Sequence, residues 1–162
     1  MKTPTIPKLA LIVVLLVLVA AACADDTGEA GGTTQPTDGE GPVANACPPE
    51  GCQITFVDVE AAGDELLVTW EANFDPDIAR NHIHIYWDIY TADQVSDDAE
   101  DRGVTQGDWH PTDAYPTYTT ESAASVANRG DSTTLCVTAA DRNHVVLDSS
   151  IVDCRDVSAL LG

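Results

Sequence analysis

Between positions 81 and 90 apolar and polar side chains alternate without a break, reading Asn81-His82-Ile83-His84-Ile85-Tyr86-Trp87-Asp88-Ile89-Tyr90. A period of two fits an extended strand, because successive side chains then point to opposite faces. Ile83, Ile85, Trp87 and Ile89 mark a core face, and His82, His84, Tyr86 and Asp88 an outer one. Gln53 to Val59 alternates in the same way, and after the turn signal Ala62-Gly63-Asp64 the run Leu66 to Glu71 is rich in β-formers. Asn73 to Asp77 is loop chemistry, and Thr117 to Asn128 holds a weaker strand. Thr133 to Ala140 and Ser150 to Val157 read as two more strands around the turn residues Asp141-Arg142-Asn143. This pattern predicts an all-β antiparallel sandwich. One stretch interrupts it. Thr91-Ala92-Asp93-Gln94 has capping-box form and Gly103 a stop, which predicts a short, exposed helix from about Ala92 to Asp101. Val104 to Thr120, rich in Pro and Tyr, reads as loop.

Four of the five cysteines, Cys47, Cys52, Cys136 and Cys154, lie in this β-rich part. An even set in an exported chain implies two disulfides, with three pairings open. Cys47-Pro48-Pro49-Glu50-Gly51-Cys52 forms a small loop that a bridge would close. If the last two strands form a hairpin centred near Val145, Cys136 and Cys154 stand directly opposite, close enough to bond. That favours Cys47–Cys52 with Cys136–Cys154.

Export itself is read from the front. Lys2 and Lys8 precede an unbroken apolar core, Leu9 to Val19, followed by Ala20-Ala21-Ala22. The core suits a signal peptide and falls short of the ~20 residues needed to span a bilayer. Residues 1–22 are the expected signal. Ala24 to Ala46 is dominated by Gly, Thr, Pro and acids and lacks the apolar side chains that would repay ordering, so 23–46 reads as a tether before a domain at 47–162. All 27 acids follow position 24, and from Cys23 onward only five arginines face them, a net charge of -22. Nucleic acid is excluded as a partner, since phosphate binding needs clustered Lys and Arg. Electrostatic adhesion to anionic lipid is disfavoured for the same reason.

Three resemblances refine these expectations. Val19-Ala20-Ala21-Ala22-Cys23 resembles a bacterial lipobox, with Ala20 where leucine is usual, which implies lipidation of Cys23 and an anchor on the outer face of the cell membrane. Leu66-Leu67-Val68-Thr69-Trp70-Glu71 resembles the second strand of fibronectin type III domains, and Thr134 to Asp141 their sixth strand and following loop. The implied fold is an immunoglobulin-like (fibronectin type III-like) sandwich, although Leu135 stands near where the family places a tyrosine and the predicted helix is an addition. His82-Ile83-His84-Ile85-Tyr86-Trp87-Asp88 is similar to the H-V-H-x-F-G-D segment of copper-zinc superoxide dismutases. Carried over, His82 and His84 would be copper ligands. Trp87 replaces the glycine, and no further histidine cluster supplies the zinc site.

From the residues alone, His82 and His84 share a strand face and could chelate one copper or zinc ion, or could be two surface imidazoles titrating near 6.5. His110 and His144 fall in expected loops. Trp109, His110, Tyr115 and Tyr118 lie on the long loop and suit contact with a surface protein or glycan, or cover for the sandwich. The acids Asp93, Asp97, Asp98, Glu100 and Asp101 lack EF-hand spacing and read as a solvated face, and Arg129-Gly130-Asp131 reads as a turn. There is no G-x-S-x-G, phosphate loop or H-E-x-x-H. The expectation is a non-enzymatic surface binding or structural module, with a copper- or zinc-binding exported protein as the alternative.

Overall fold

The structure is a computed structural model that describes residues 46–162. The signal segment, the lipidation at Cys23 and the tether up to position 45 lie outside the described residues. Among the described residues seven strands form two antiparallel sheets: β1 (Ile54–Ala62), β2 (Glu65–Ala72), β3 (His82–Trp87), β4 (His110–Thr112), β5 (Thr117–Thr119), β6 (Thr134–Ala140) and β7 (Val152–Asp156). The first sheet runs β1-β2-β5 and the second β4-β3-β6-β7.

One core lies between the sheets. Ile54 and Phe56 of β1, Leu66, Val68 and Trp70 of β2, Ile83, Ile85 and Trp87 of β3, and Leu135, Val137 and Ala139 of β6 meet there. Every one sits at the parity its strand's alternation dictates. Both core indoles keep a hydrogen bond, Trp70 Nε1–H donating to the Ala114 carbonyl at 3.1 Å and Trp87 Nε1–H to that of Ser125 at 3.1 Å. Buried aromatics retain such polar contacts because an unpaired N–H is costly.

The structure departs from the sequence expectations at four places. No α-helix forms over 92–101. The capping pair is present, with Thr91 N–H donating to Gln94 Oε1 at 3.0 Å, yet the chain continues as a series of turns. The segment is not exposed either, for Val95, Ser96 and Ala99 are fully buried. The reason lies in the backbone, for the Val95 carbonyl accepts from the His84 ring and the Asp97 N–H donates to the His144 carbonyl, bonds that replace those of a regular helix. Second, the Pro-rich stretch contributes strand β4, whose Pro111 is tolerated because β4 is an edge strand and needs only one ladder. Third, the weak strand shrinks to β5, after which Ser122–Ala124 and Val126–Asn128 are 3-10 turns. Finally, β3 ends at Trp87, which leaves Ile89 at 46% exposure instead of in the core.

The structure pairs Cys47 with Cys52 and Cys136 with Cys154. In the β6–β7 ladder Cys136 stands opposite Cys154, the register expected of a hairpin centred near Val145. Paired residues share a face, so this bridge lies on the same side of the second sheet as Tyr86, the β3 partner of Cys136.

Trp70 is 1% exposed and stacks on Tyr118 with ring centroids 5.6 Å apart. Trp70→Ala is expected to lower stability by about 3–5 kcal/mol, the range for deleting a buried aromatic ring. Tyr115→Ala, at a ring 47% exposed, should stay within about 0.5 kcal/mol. Urea unfolding of the two variants beside wild type checks both values.

Candidate metal centre

All six residues of β3 are buried. Its inner face meets the first sheet. Its outer face, bearing His82, His84 and Tyr86, is covered by the segment between β3 and β4 and by the β6–β7 connection. Tyr86, Val95, Cys136 and Val146 form a second apolar cluster there, with Tyr90 and Trp109 packed against it. The sequence parity of β3 therefore stands, but the expected solvent exposure of His82 and His84 does not: each is 0% exposed.

A third histidine joins them. The β6–β7 connection turns at Asp141, whose Oδ1 accepts from Asn143 N–H at 2.8 Å and Val145 N–H at 3.0 Å. His144 takes a left-handed conformation in this turn (φ 61°), which suits a side chain that must be aimed inward. Because Ala140 is the ladder partner of His82, the turn beyond it brings His144 to the His82 end of β3. His82 Nε2 lies 2.9 Å from His144 Nδ1 and 3.2 Å from His84 Nε2, and the third side of the triangle is 3.5 Å.

The covering segment holds this arrangement at three successive residues. His84 Nδ1–H donates to the Val95 carbonyl at 2.7 Å, Val146 N–H donates to Ser96 Oγ at 2.9 Å, and Asp97 N–H donates to the His144 carbonyl at 2.9 Å. Trp109 and His144 both stack on the His84 ring, with centroids 5.1 and 5.7 Å away.

The protonation chemistry follows from these contacts. A carbonyl only accepts, so the proton of neutral His84 resides on Nδ1 and its Nε2 presents a lone pair. Burial disfavours the charged ring and pushes His84 down to about 3, with the Val95 carbonyl opposing and the other histidines adding repulsion. Burial likewise pushes His82 down to about 4, helped by repulsion from His144 and opposed by the Arg80 backbone, Asp141 and Asp113. The Arg80 backbone acts on His82 without reaching hydrogen-bond geometry, for His82 Nδ1 is buried with no bonded partner. Three nitrogens thus face one another in three contacts, and one of them is fixed as an acceptor. No placement of the remaining protons satisfies all three contacts, so at least one pair of lone pairs or of N–H groups is opposed. A cation among the three nitrogens removes that conflict.

The spacing suits a cation. Metal–nitrogen bonds of about 2.0–2.1 Å at tetrahedral angles place ligand nitrogens roughly 3.3 Å apart. The observed 2.9, 3.2 and 3.5 Å bracket that value. His82, His84 and His144 are the only group of three or more potential ligands this close together among the described residues. The Val95 carbonyl is the kind of outer partner that fixes the tautomer of a ligating imidazole.

The other candidate residues go elsewhere. His110, on β4, lies 3.4 Å from a Glu121 carboxylate oxygen and stacks on Tyr118. Burial holds its pKa below the ordinary value while Glu121 opposes. Tyr118 is a core residue at 6% exposure and Trp109 is half-buried against His84, so these two rings cover the sandwich, the other expectation for this loop. Of the four loop residues only Tyr115 stays exposed. Arg102 bridges Asp93 and Asp98 at 3.1 and 2.7 Å, so these two acids pair within the protein. Compared with known protein families, with curated proteins and with solved structures, the chain matches none.

Because folding holds His82 and His84 neutral well below the ordinary 6.5, the unfolded chain binds more protons as pH falls through that value. The stabilising effect of neutral burial is complete above about pH 6.5 and declines toward pH 4. In chelator-treated protein the urea midpoint should therefore fall between pH 7 and pH 5. The fall should be shallower in His84→Gln, which lacks one of the two groups. An equal slope in both proteins would contradict the assignment.

Proposed function

We propose that this chain is an exported, lipid-anchored surface protein whose sandwich domain binds one divalent transition-metal ion, copper(II) or zinc, through His82, His84 and His144. The observation that carries this reading is the convergence of three imidazole nitrogens within 3.5 Å beneath a covering segment. An all-imidazole donor set suits copper and zinc, and the usual affinity order favours copper(II). The strongly negative exterior of the mature chain raises the local concentration of cations. Two disulfides favour an oxidising compartment, and the lipobox-like run at Cys23 supplies the anchor.

The sandwich is read as immunoglobulin-like, of the fibronectin type III kind. The run that resembles that family's second strand forms β2, and the one that resembles its sixth forms β6. The three- and four-stranded sheets suit the same reading. A non-enzymatic module that contacts protein or glycan through the aromatic loop has less support, because Trp109, His110 and Tyr118 are engaged within the domain.

Two measurements test the proposal. Equilibrium dialysis of metal-free protein against copper(II) or zinc should give one ion per chain. His144→Asn keeps a residue that tolerates the left-handed conformation and should weaken binding by more than the roughly 10–100-fold that loss of an outer partner costs. Absence of stoichiometric metal from the wild type would retire the metal reading. Separately, Cys23→Ser should move the protein from the membrane fraction to the soluble exported fraction, and unchanged fractionation would remove the anchor.

A further inference from the structure

We infer that the metal centre is completed by a small, exchangeable anion as its fourth donor, an inference that rests on the metal reading above. The described part of the chain offers three neutral imidazoles there and no anionic ligand. All four of its cysteines are in disulfides. The His110 ring is directed to Glu121. Asp141, the acid of the His144 turn, uses Oδ1 to accept from Asn143 N–H and Val145 N–H. Asp141 and Asp113 act on His82 only through space.

Geometry then confines a fourth bond to the normal of the nitrogen triangle. A triangle of 2.9, 3.2 and 3.5 Å is too tight for an ion at about 2.05 Å from each nitrogen to lie in its plane. An ion held there would sit roughly 0.8–0.9 Å to one side or the other, with the remaining tetrahedral vertex further out on the same side. His82 and His84 have no exposed surface, whereas His144 is half-buried and Trp109 partly exposed. Both of these rings stack on His84, so they are the partly exposed groups nearest the site.

Charge sets the class of ligand. Three neutral donors leave the full double positive charge of the ion in a poorly solvated site, which favours a bound anion over a neutral molecule and acidifies a bound water toward hydroxide. The acids of the mature chain act from across the surface, where salt screens them beyond about 8–10 Å. The fourth ligand sits at bonding distance, so the ion dominates it. The donor is therefore hydroxide or a small monodentate anion that can replace it.

The test uses the mature full-length chain loaded with cobalt(II) and titrated with sodium azide, read by the visible d–d spectrum. The expected result is one cobalt per chain with intense low-symmetry bands that shift saturably with azide and return on its removal. One cobalt per chain with bands indifferent to azide would overturn the inference while leaving the metal reading intact, since the chain would then supply its own fourth donor. Failure to bind cobalt, copper(II) or zinc would overturn both.

Discussion

Burial of β3 on both faces is the constraint on which the rest of the structure depends. A strand in a two-sheet sandwich ordinarily keeps one face for the core and gives the other to water. Here the second face carries two histidines and a tyrosine, and polar groups removed from water must be matched by partners. For His84 and the loop that carries His144 the matching comes from the segment between β3 and β4, whose residues 95–97 hold the His84 ring, the Val146 N–H and the His144 carbonyl in turn, while His82 Nδ1 is left without a partner. Those contacts explain why the segment winds as turns, for its backbone polar groups serve the sheet below it. Gly107 shows how close the packing is, because a Cβ there would lie 2.6 Å from the Tyr90 ring.

The two sheets divide the labour. The first, β1-β2-β5, closes the core with Trp70 and Tyr118 and leaves much of its outer surface to solvent. The second, β4-β3-β6-β7, carries every member of the candidate site or the loop that delivers it. Its disulfide between Cys136 and Cys154 fixes the β6–β7 register. The Asp141 turn has a register of its own, with Ala140 paired to Val146, and that pairing sets where His144 arrives.

The His82–His84 pair was legible from spacing, since alternate strand residues must share a face. Their burial was not, because an alternating pattern reports which side a residue faces and is silent about what lies over it. His144 carried no local signal. It is 62 residues from His82 in sequence, and its placement depends on β6 pairing with β3, a long-range choice. The expected helix failed for a related reason: the Thr91–Gln94 cap formed, but the Val95 carbonyl and Asp97 N–H bond to His84 and His144, distant in sequence, and these bonds outweighed the local preference.

By itself the sequence determined the strands other than β4, the parity of the core residues, the register that places Cys136 opposite Cys154, and the acidic, lysine-free composition of residues 46–162. Each of these follows from local periodicity, from spacing about one turn, or from composition. Only the tertiary structure decided that the outer face of β3 is covered and that a third imidazole meets the first two. Both depend on contacts between segments far apart in the chain, whose loop-closure cost is offset only when the whole sandwich has formed.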